Sequence, residues 1–442
     1  MTRPQHFGWF LSRGFGPHGW ARPYQEWNYA WQRPGIYQQS ARDLEQAGFD
    51  FVLIEDALSV GITPATLDLR VRKAYGGPKH DPWTLAPYLF AATEHLGVIP
   101  TANPASHPPY LAARQFASLA HLSGDRLGLN VVTDVGSAHH FGTERLPHDQ
   151  AYDRAQEWLD ALRLLWHSWD EDALIADPVS QVYADGSKIR AVQHRGQYFS
   201  FDGPLNAEPL GAGDPIVASP GGSPRGIDFA GANSEIQLAL SNLDVESIRA
   251  YRARVHEAAA VHGRTPEDIS ILFVFKPIVA TSAEEADRIV QASLSPGEDA
   301  LREVAEAWSS DLETDLTAFD LDRPLDPAAA FGDHVSQGTI RGLLGHHDSF
   351  DGVPLRDILA GKARLGRITD GRGGTVGTAE EIADVIQALG DDADNDGLIF
   401  SGDLHPVTIH RTLDELVPVL RRRGILRDGY ADGGLRANLS SF

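Results

Sequence analysis

Leu96-Gly97-Val98-Ile99 is a short apolar run that ends on the polar stretch Pro100-Thr101-Ala102-Asn103. A segment of helical period follows from Tyr110 to Leu122 and stops before Ser123-Gly124. A second apolar run, Leu127-Gly128-Leu129-Asn130-Val131-Val132-Thr133, comes next. Strand, helix and strand in that order read as a parallel βαβ unit, because a parallel neighbour is reached only through a crossover. Both runs are largely apolar rather than alternating, as strands covered on both faces are.

The same unit recurs on either side. Upstream lie Phe7 to Leu11 and Phe51-Val52-Leu53-Ile54, the latter closing on Glu55-Asp56. The helix before it, Ile36 to Ala47, has Gly48 placed to cap its end. Downstream come Pro215 to Ala218, Ile236 to Leu240, Ile269 to Phe275 and Gly397 to Phe400. Asp149 to Trp166 carries Tyr152, Ala155, Leu159, Leu162 and Leu165 at helical spacing, and Thr378 with Glu381 forms a capping-box pattern ahead of a helix to Leu389. Eight such strands with helices between them favour an α/β fold of the (β/α)8 TIM-barrel type over an open doubly wound sheet. The expectation is one barrel domain over residues 1–442 with insertions at about 173–206 and 277–376. The first is hairpin-like, with strands near Val179 to Val182 and Arg195 to Phe201. The second holds acidic helices and a Gly/His/Asp-rich loop from Gly338 to Asp351. Both are expected on βα loops, roofing an active face.

Composition narrows the chemistry. The chain has 442 residues, no cysteine and one methionine, Met1. A disulfide framework, a thiolate nucleophile, Cys-ligated zinc and an iron–sulfur cluster are therefore excluded. With 38 basic against 61 acidic side chains the formal charge is −23, which repels phosphate backbones and anionic lipid. Neither nucleic acid nor membrane is an expected partner. No signal-peptide core or bilayer-length apolar run is present, so a cytoplasmic protein is expected.

Several residues could carry chemistry. Asp56 ends the second strand at the active face, although a helix cap or salt bridge would explain it equally. Glu55 and Asp56 cannot flank one glycosidic bond, since neighbours on a strand point to opposite sides. Ser219-Pro220-Gly221-Gly222-Ser223-Pro224-Arg225-Gly226 joins a strand to a helix beginning near Ile227. Glycine amides, a serine hydroxyl and a helix N-terminus together suit a phosphate, although a tight βα turn needs the same residues. His148 and Tyr152 share a helix face and could serve one ligand. His139-His140 and His346-His347 are adjacent pairs, poorly spaced for chelating one metal ion. Asp392-Ala393-Asp394-Asn395-Asp396-Gly397 with Asp403 imitates an EF-hand loop. Its last ligand is Asp rather than Glu, Pro406 interrupts the exiting helix, and Gly397 to Phe400 is needed as a strand.

Taken together, these segments resemble the luciferase-like flavin monooxygenases, in the branch of the nitrilotriacetate, EDTA and dibenzothiophene sulfone monooxygenases. The similarity runs nearly end to end. It is most specific from Pro109 through Gly124 and Asp125-Arg126 to Asn130-Val131-Val132-Thr133, and continues in Phe141-Gly142, Leu165 to Trp169, His194 to Phe199, Gly203 to Asn206 and Leu416 to Gly424 with Tyr430. The resemblance implies a barrel that takes reduced FMN from a separate NAD(P)H-dependent flavin reductase. It further implies that O2 adds at flavin C4a and that the peroxyflavin oxygenates a small organosulfur compound, amine or aminocarboxylate. Carried over by motif, Asp56 stands near the flavin, Thr101 and Asn103 follow strand three, His148 and Tyr152 face the phosphate, and Gly222 and Ser223 form the phosphate loop. His18, in Gly16-Pro17-His18-Gly19-Trp20, aligns with a first-loop histidine and is the candidate catalytic proton donor or acceptor. A homodimer or homotetramer is also implied.

The chain departs from the family pattern in places. Leu129 stands where Trp is usual before the strand-four Asn, and Asp134 where Ser is usual. Asn103-Pro104 replaces a Ser-Thr pair. Ile227, not a basic residue, follows the last glycine of the phosphate loop, and Arg225 precedes it. These changes bear on substrate and on single contacts rather than on the fold. The alternative within the superfamily is an F420-dependent oxidoreductase, which passes hydride and uses no oxygen.

Overall fold

The computed structural model describes residues 2–11 and 30–442, apart from 59, 61–63, 73, 75, 76, 134, 135, 212, 313, 332–334, 336, 346, 372, 403 and 405. Eight parallel strands close into a barrel in sequence order: β1 (His6–Leu11), β2 (Phe51–Ile54), β3 (Gly97–Ala102), β4 (Gly128–Val131), β5 (Ile216–Pro220), β6 (Ile236–Ala239), β7 (Ser270–Phe275) and β8 (Gly397–Gly402). The expected fold class is therefore the observed one. β8 closes on β1 with His6 opposite Gly397 and Leu11 opposite Gly402.

Inside the barrel, Phe51, Leu53, Ile99, Ile216, Ala218, Ile236, Leu238, Leu272 and Ile399 pack together. The C-terminal helix Gly434–Leu439 adds Leu435 to this cluster from the N-terminal end of the strands. Gly97 makes room for it, since a Cβ there would lie 2.6 Å from Leu435 Cδ1. Outside the barrel, α1 (Gly35–Ala47) buries Tyr37, Ala41, Leu44 and Ala47 and ends on Gly48, whose φ of 88° suits glycine. α2 (Pro109–Ser123), α3 (His148–Trp166), α4 (Pro224–Asn233), α5 (Val245–Val261) and α6 (Ala379–Ala393) belong to the outer layer, the last opened by the Thr378/Glu381 capping box.

The two long insertions differ in placement. Residues 277–376 lie between β7 and α6, on a βα connection as expected. They bury a separate cluster that includes Leu301, Leu312, Leu316, Leu343, Leu355 and Leu359, and reach helix Pro64–Val71 and Arg72, whose Nη2 lies 3.6 Å from Asp315 Oδ2. Residues 173–206 follow α3 and precede β5, so they stand on an αβ connection, which corrects the expectation that they roof the active face. They form two small antiparallel pairs, Leu174–Asp177 with Val182–Ala184 and Gln193–Arg195 with Ser200–Asp202. A contact distant in sequence holds them there. Glu157, on the outer side of α3, accepts from the amides of Gln197 (3.0 Å) and Phe199 (2.9 Å) and pairs with His194 Nε2 (3.0 Å), which holds the second pair against that helix.

The EF-hand-like stretch is structural. Asp394 caps α6 with φ 51° and meets Arg3. Asp396 Oδ1 meets Arg3 Nη2 (3.1 Å), while its Oδ2 accepts from Ile271 N (2.9 Å) and pairs with Arg252. Asp403 lies outside the described residues.

Candidate functional site

The C-terminal ends of β2, β3 and β4 lie side by side at the barrel mouth. Thr101 sits opposite Asn130 in the β3–β4 register. Its Oγ1 donates to the carbonyl of Ile54 (2.7 Å) and accepts from Asn130 Nδ2 (2.8 Å). A hydroxyl has one proton, and Ile54 takes it, so Asn130 must present its NH2 to Thr101 and turn Oδ1 the other way. Asn130 is 4% exposed, and among the described residues its buried Oδ1 has no hydrogen-bond partner. It faces inward, because two residues earlier a Cβ on Gly128 would lie 2.9 Å from the interior Ile99 Cγ1. The mouth thus carries a fixed, unsatisfied acceptor.

Around it, Trp83 Nε1 donates to the carbonyl of Thr101 (2.8 Å) and Trp158 Nε1 to that of His107 (2.7 Å). Asn103 is buried, and its Oδ1 closes a local turn by accepting from Ala105 N (3.0 Å). Asp56 follows β2 and is partly buried. Desolvation raises its carboxyl to about 7; Lys79 opposes the shift, while Asp81 and Glu55 add to it. Lys79 is held by Glu55 Oε2 at 3.1 Å.

Since the folded value lies above the ordinary 3.8, the folded state retains a proton that the unfolded chain has lost. The stability this provides is complete below about pH 4 and is lost as pH rises through about 7. Asp56→Asn imitates the neutral carboxyl, so its melting temperature is expected to match wild type near the low end of that window. The variant's advantage should grow towards pH 8. Thermal melts across the range check this, and a constant difference would contradict it.

The second half of the site is the loop from β5 into α4. Ser223 caps α4, its Oγ accepting from Gly226 N (3.0 Å), and His148 Nε2 stands 3.4 Å from the same oxygen. Tyr152, buried on α3, puts its hydroxyl where side chains at two glycines would be. A Cβ on Gly221 would lie 2.9 Å from it and one on Gly226 2.7 Å. Gly221 also has φ 136°, a backbone that glycine adopts readily. Its carbonyl accepts from Gln237 Nε2 (2.9 Å) and Tyr251 Oη (3.3 Å), which fixes the loop from behind. The first amides of α4 have no carbonyl one turn back, so the loop offers donors to an anion.

The structure therefore brings His148, Tyr152, Gly222 and Ser223 together, and sets Asp56, Thr101 and Asn103 at the mouth. His18, the candidate proton donor or acceptor, lies outside the described residues. Asn130 was visible only as part of a motif; its significance comes from the Thr101 hydroxyl, which no spacing reveals. Gln237 and Tyr251 gave no signal, being an ordinary strand residue and an ordinary core aromatic. Among the described residues no group of three His, Cys, Asp or Glu side chains is placed to hold a metal ion, and no helix is long and apolar enough to cross a membrane.

A closed parallel barrel with this cluster of polar residues at its C-terminal mouth has the architecture on which α/β-barrel enzymes carry their active sites. Residues 6–393 match the family model described as luciferase-like monooxygenase, and the chain belongs to that family. It is a flavin-dependent monooxygenase. The chain is 34% identical over 417 residues to the dibenzothiophene-sulfone monooxygenase of Rhodococcus erythropolis, covering 91% of this chain and 89% of that one. It is 28% identical to nitrilotriacetate monooxygenase component A of Aminobacter aminovorans, over 94% and 93% of the two chains. The crystal structure of riboflavin lyase with modified FMN and the substrate riboflavin superposes with a TM-score of 0.81 at 27% identity, over 100% of this chain and 96% of that one.

Proposed function

We propose that the protein is the oxygenase of a two-component system, taking reduced FMN from a separate NAD(P)H-dependent flavin reductase and using O2 to oxygenate a small organosulfur compound, amine or aminocarboxylate. The observation that carries the flavin reading is the buried Asn130 Oδ1, an acceptor without a donor at the mouth. A flavin ring offers N–H groups, and the Gly221/Gly226 cradle beside Tyr152 offers room and amides for a phosphate. These residues fit the cofactor. The named activities of the Rhodococcus and Aminobacter relatives support the substrate classes, and "component A" of the latter supports a partner component.

The reduced flavin, when bound, supplies two electrons, so that one oxygen atom of O2 enters the substrate and the other leaves as water. The chain's residues have other tasks. Gly222, Ser223, His148 and Tyr152 would hold the phosphate, and Asn130 would orient the ring. Thr101 keeps Asn130 in register, and burial raises the Asp56 carboxyl to about 7, which would lessen the negative charge beside the cofactor below neutral pH. The 277–376 insertion, packed against Pro64–Val71, would exclude water from one side of the mouth. His18 retains the proposed role of proton donor or acceptor near the flavin. A cytoplasmic homodimer or homotetramer completes the proposal.

The test is oxygen uptake with FMN and a generic flavin reductase, screened over sulfides, sulfones, sulfonates, amines and aminocarboxylates. At least one class should yield oxygenated product above uncoupled peroxide formation. Peroxide alone with every class would contradict the proposed substrates.

A further inference from the structure

The phosphate loop carries one cation, Arg225, but that charge is neutralised where it stands. Arg225 Nη2 meets Asp153 Oδ1 at 2.8 Å and Nη1 meets Asp228 Oδ2 at 2.7 Å. The position after the last glycine is Ile227, which is buried. The loop itself therefore offers a dianion amides and hydroxyls but no uncommitted charge.

Such a charge comes from the next helix. Arg254 on α5 donates from Nη2 to the carbonyl of Gly222 (3.2 Å), and its guanidinium lies over the Tyr251 ring, 5.6 Å from the centroid. Tyr251 is itself bonded to the Gly221 carbonyl, so one aromatic residue supports both the loop and the arginine. Among the described residues no carboxylate lies within ion-pair distance of Arg254. An exposed guanidinium with one donor on the loop keeps its remaining N–H groups for a ligand. In a chain of net charge −23, an uncompensated cation at this point is notable by position.

We propose that Arg254 supplies the positive charge that meets the cofactor's terminal phosphate, and with it the preference for FMN over riboflavin. The inference rests on the FMN reading above and adds a residue to it. It places the basic function on the helix after β6 rather than on the loop.

The experiment is anaerobic titration of the full chain with photoreduced FMN and photoreduced riboflavin, followed by quenching of tryptophan fluorescence. Wild type is expected to bind reduced FMN more tightly than reduced riboflavin, by a ratio that shrinks as salt is raised. Arg254→Gln should weaken reduced FMN about tenfold or more, leave reduced riboflavin unchanged and remove most of the salt dependence. The side chain is exposed, so the variant is expected to fold. A wild-type ratio retained in Arg254→Gln overturns the role of Arg254 while leaving the FMN reading intact. If wild type itself does not distinguish the two flavins, the phosphate reading fails and the proposal falls with it.

Discussion

Asn130→Leu is expected to weaken binding of reduced FMN on the order of tenfold to a hundredfold while leaving the barrel folded. Asn130 Oδ1 is buried without a partner, and the Thr101 hydroxyl, already donating to Ile54, prevents the amide from turning round. In the proposed complex a flavin N–H would supply the donor that this acceptor can take. Leucine has similar bulk and no acceptor, so the ligand's N–H would be desolvated without return. The free protein loses an acceptor with no partner among the described residues together with the Nδ2 bond to Thr101 (2.8 Å), so a fall in melting temperature of only a few degrees is expected, with the barrel intact. Reduced riboflavin should weaken in parallel, because the contact is with the ring and not the phosphate. Anaerobic fluorescence titration of both flavins checks this. Unchanged affinity for both would remove Asn130 from the site.

The second large effect concerns stability. Arg427→Met is expected to cost on the order of 3–5 kcal/mol, measured as a shift in urea unfolding. Asp50, just before β2, is 1% exposed and accepts from Phe7 N at 2.8 Å. Arg427 is 6% exposed and meets Asp50 Oδ1, while its Nη2 also donates to the carbonyl of Asn438 (2.8 Å). One guanidinium thus ties the start of β2 to the C-terminal helix that fills the barrel's lower end. Methionine preserves much of the stem's packing but leaves a buried carboxylate whose remaining side-chain partner, among the described residues, is His6 Nδ1 at 3.4 Å. The double variant Asp50→Asn/Arg427→Met removes that charge and should recover part of the loss, because an amide can still accept from Phe7. A double variant no better than the single one would place the cost in the Asn438 contacts instead.

The barrel was readable because its strands are buried on both faces. Phe51–Ile54 appears in the sequence with the same ends it has in space, and the apolar core of each of the other strands was found within a few residues. What failed was governed by distant contacts. The 173–206 segment was read as one roofing hairpin, yet a carboxylate on α3, Glu157, organises its second pair at the side of the barrel. Nothing in the alternation of residues 193–202 carries that information. The site divided in the same way. Gly222, Ser223, His148 and Tyr152 follow local rules for a phosphate loop and a helix face, and they do converge. Asn130 depends on the direction of one hydroxyl proton, and Arg254 lies on a helix beyond the next strand, so neither could be weighed before the chain was folded. Asn103, chosen by motif, has its Oδ1 engaged in its own turn.

The central claim, oxygen transfer from a reduced flavin, is tested most directly by a single turnover under isotopically heavy dioxygen. The full chain is loaded anaerobically with photoreduced FMN and a substrate found in the oxygen-uptake screen, mixed with the labelled gas, and the product is examined by mass spectrometry. The account predicts one labelled oxygen atom in each product molecule, with no reductase present during the turnover. An unlabelled product, or turnover that proceeds without oxygen when reduced F420 replaces FMN, would contradict it.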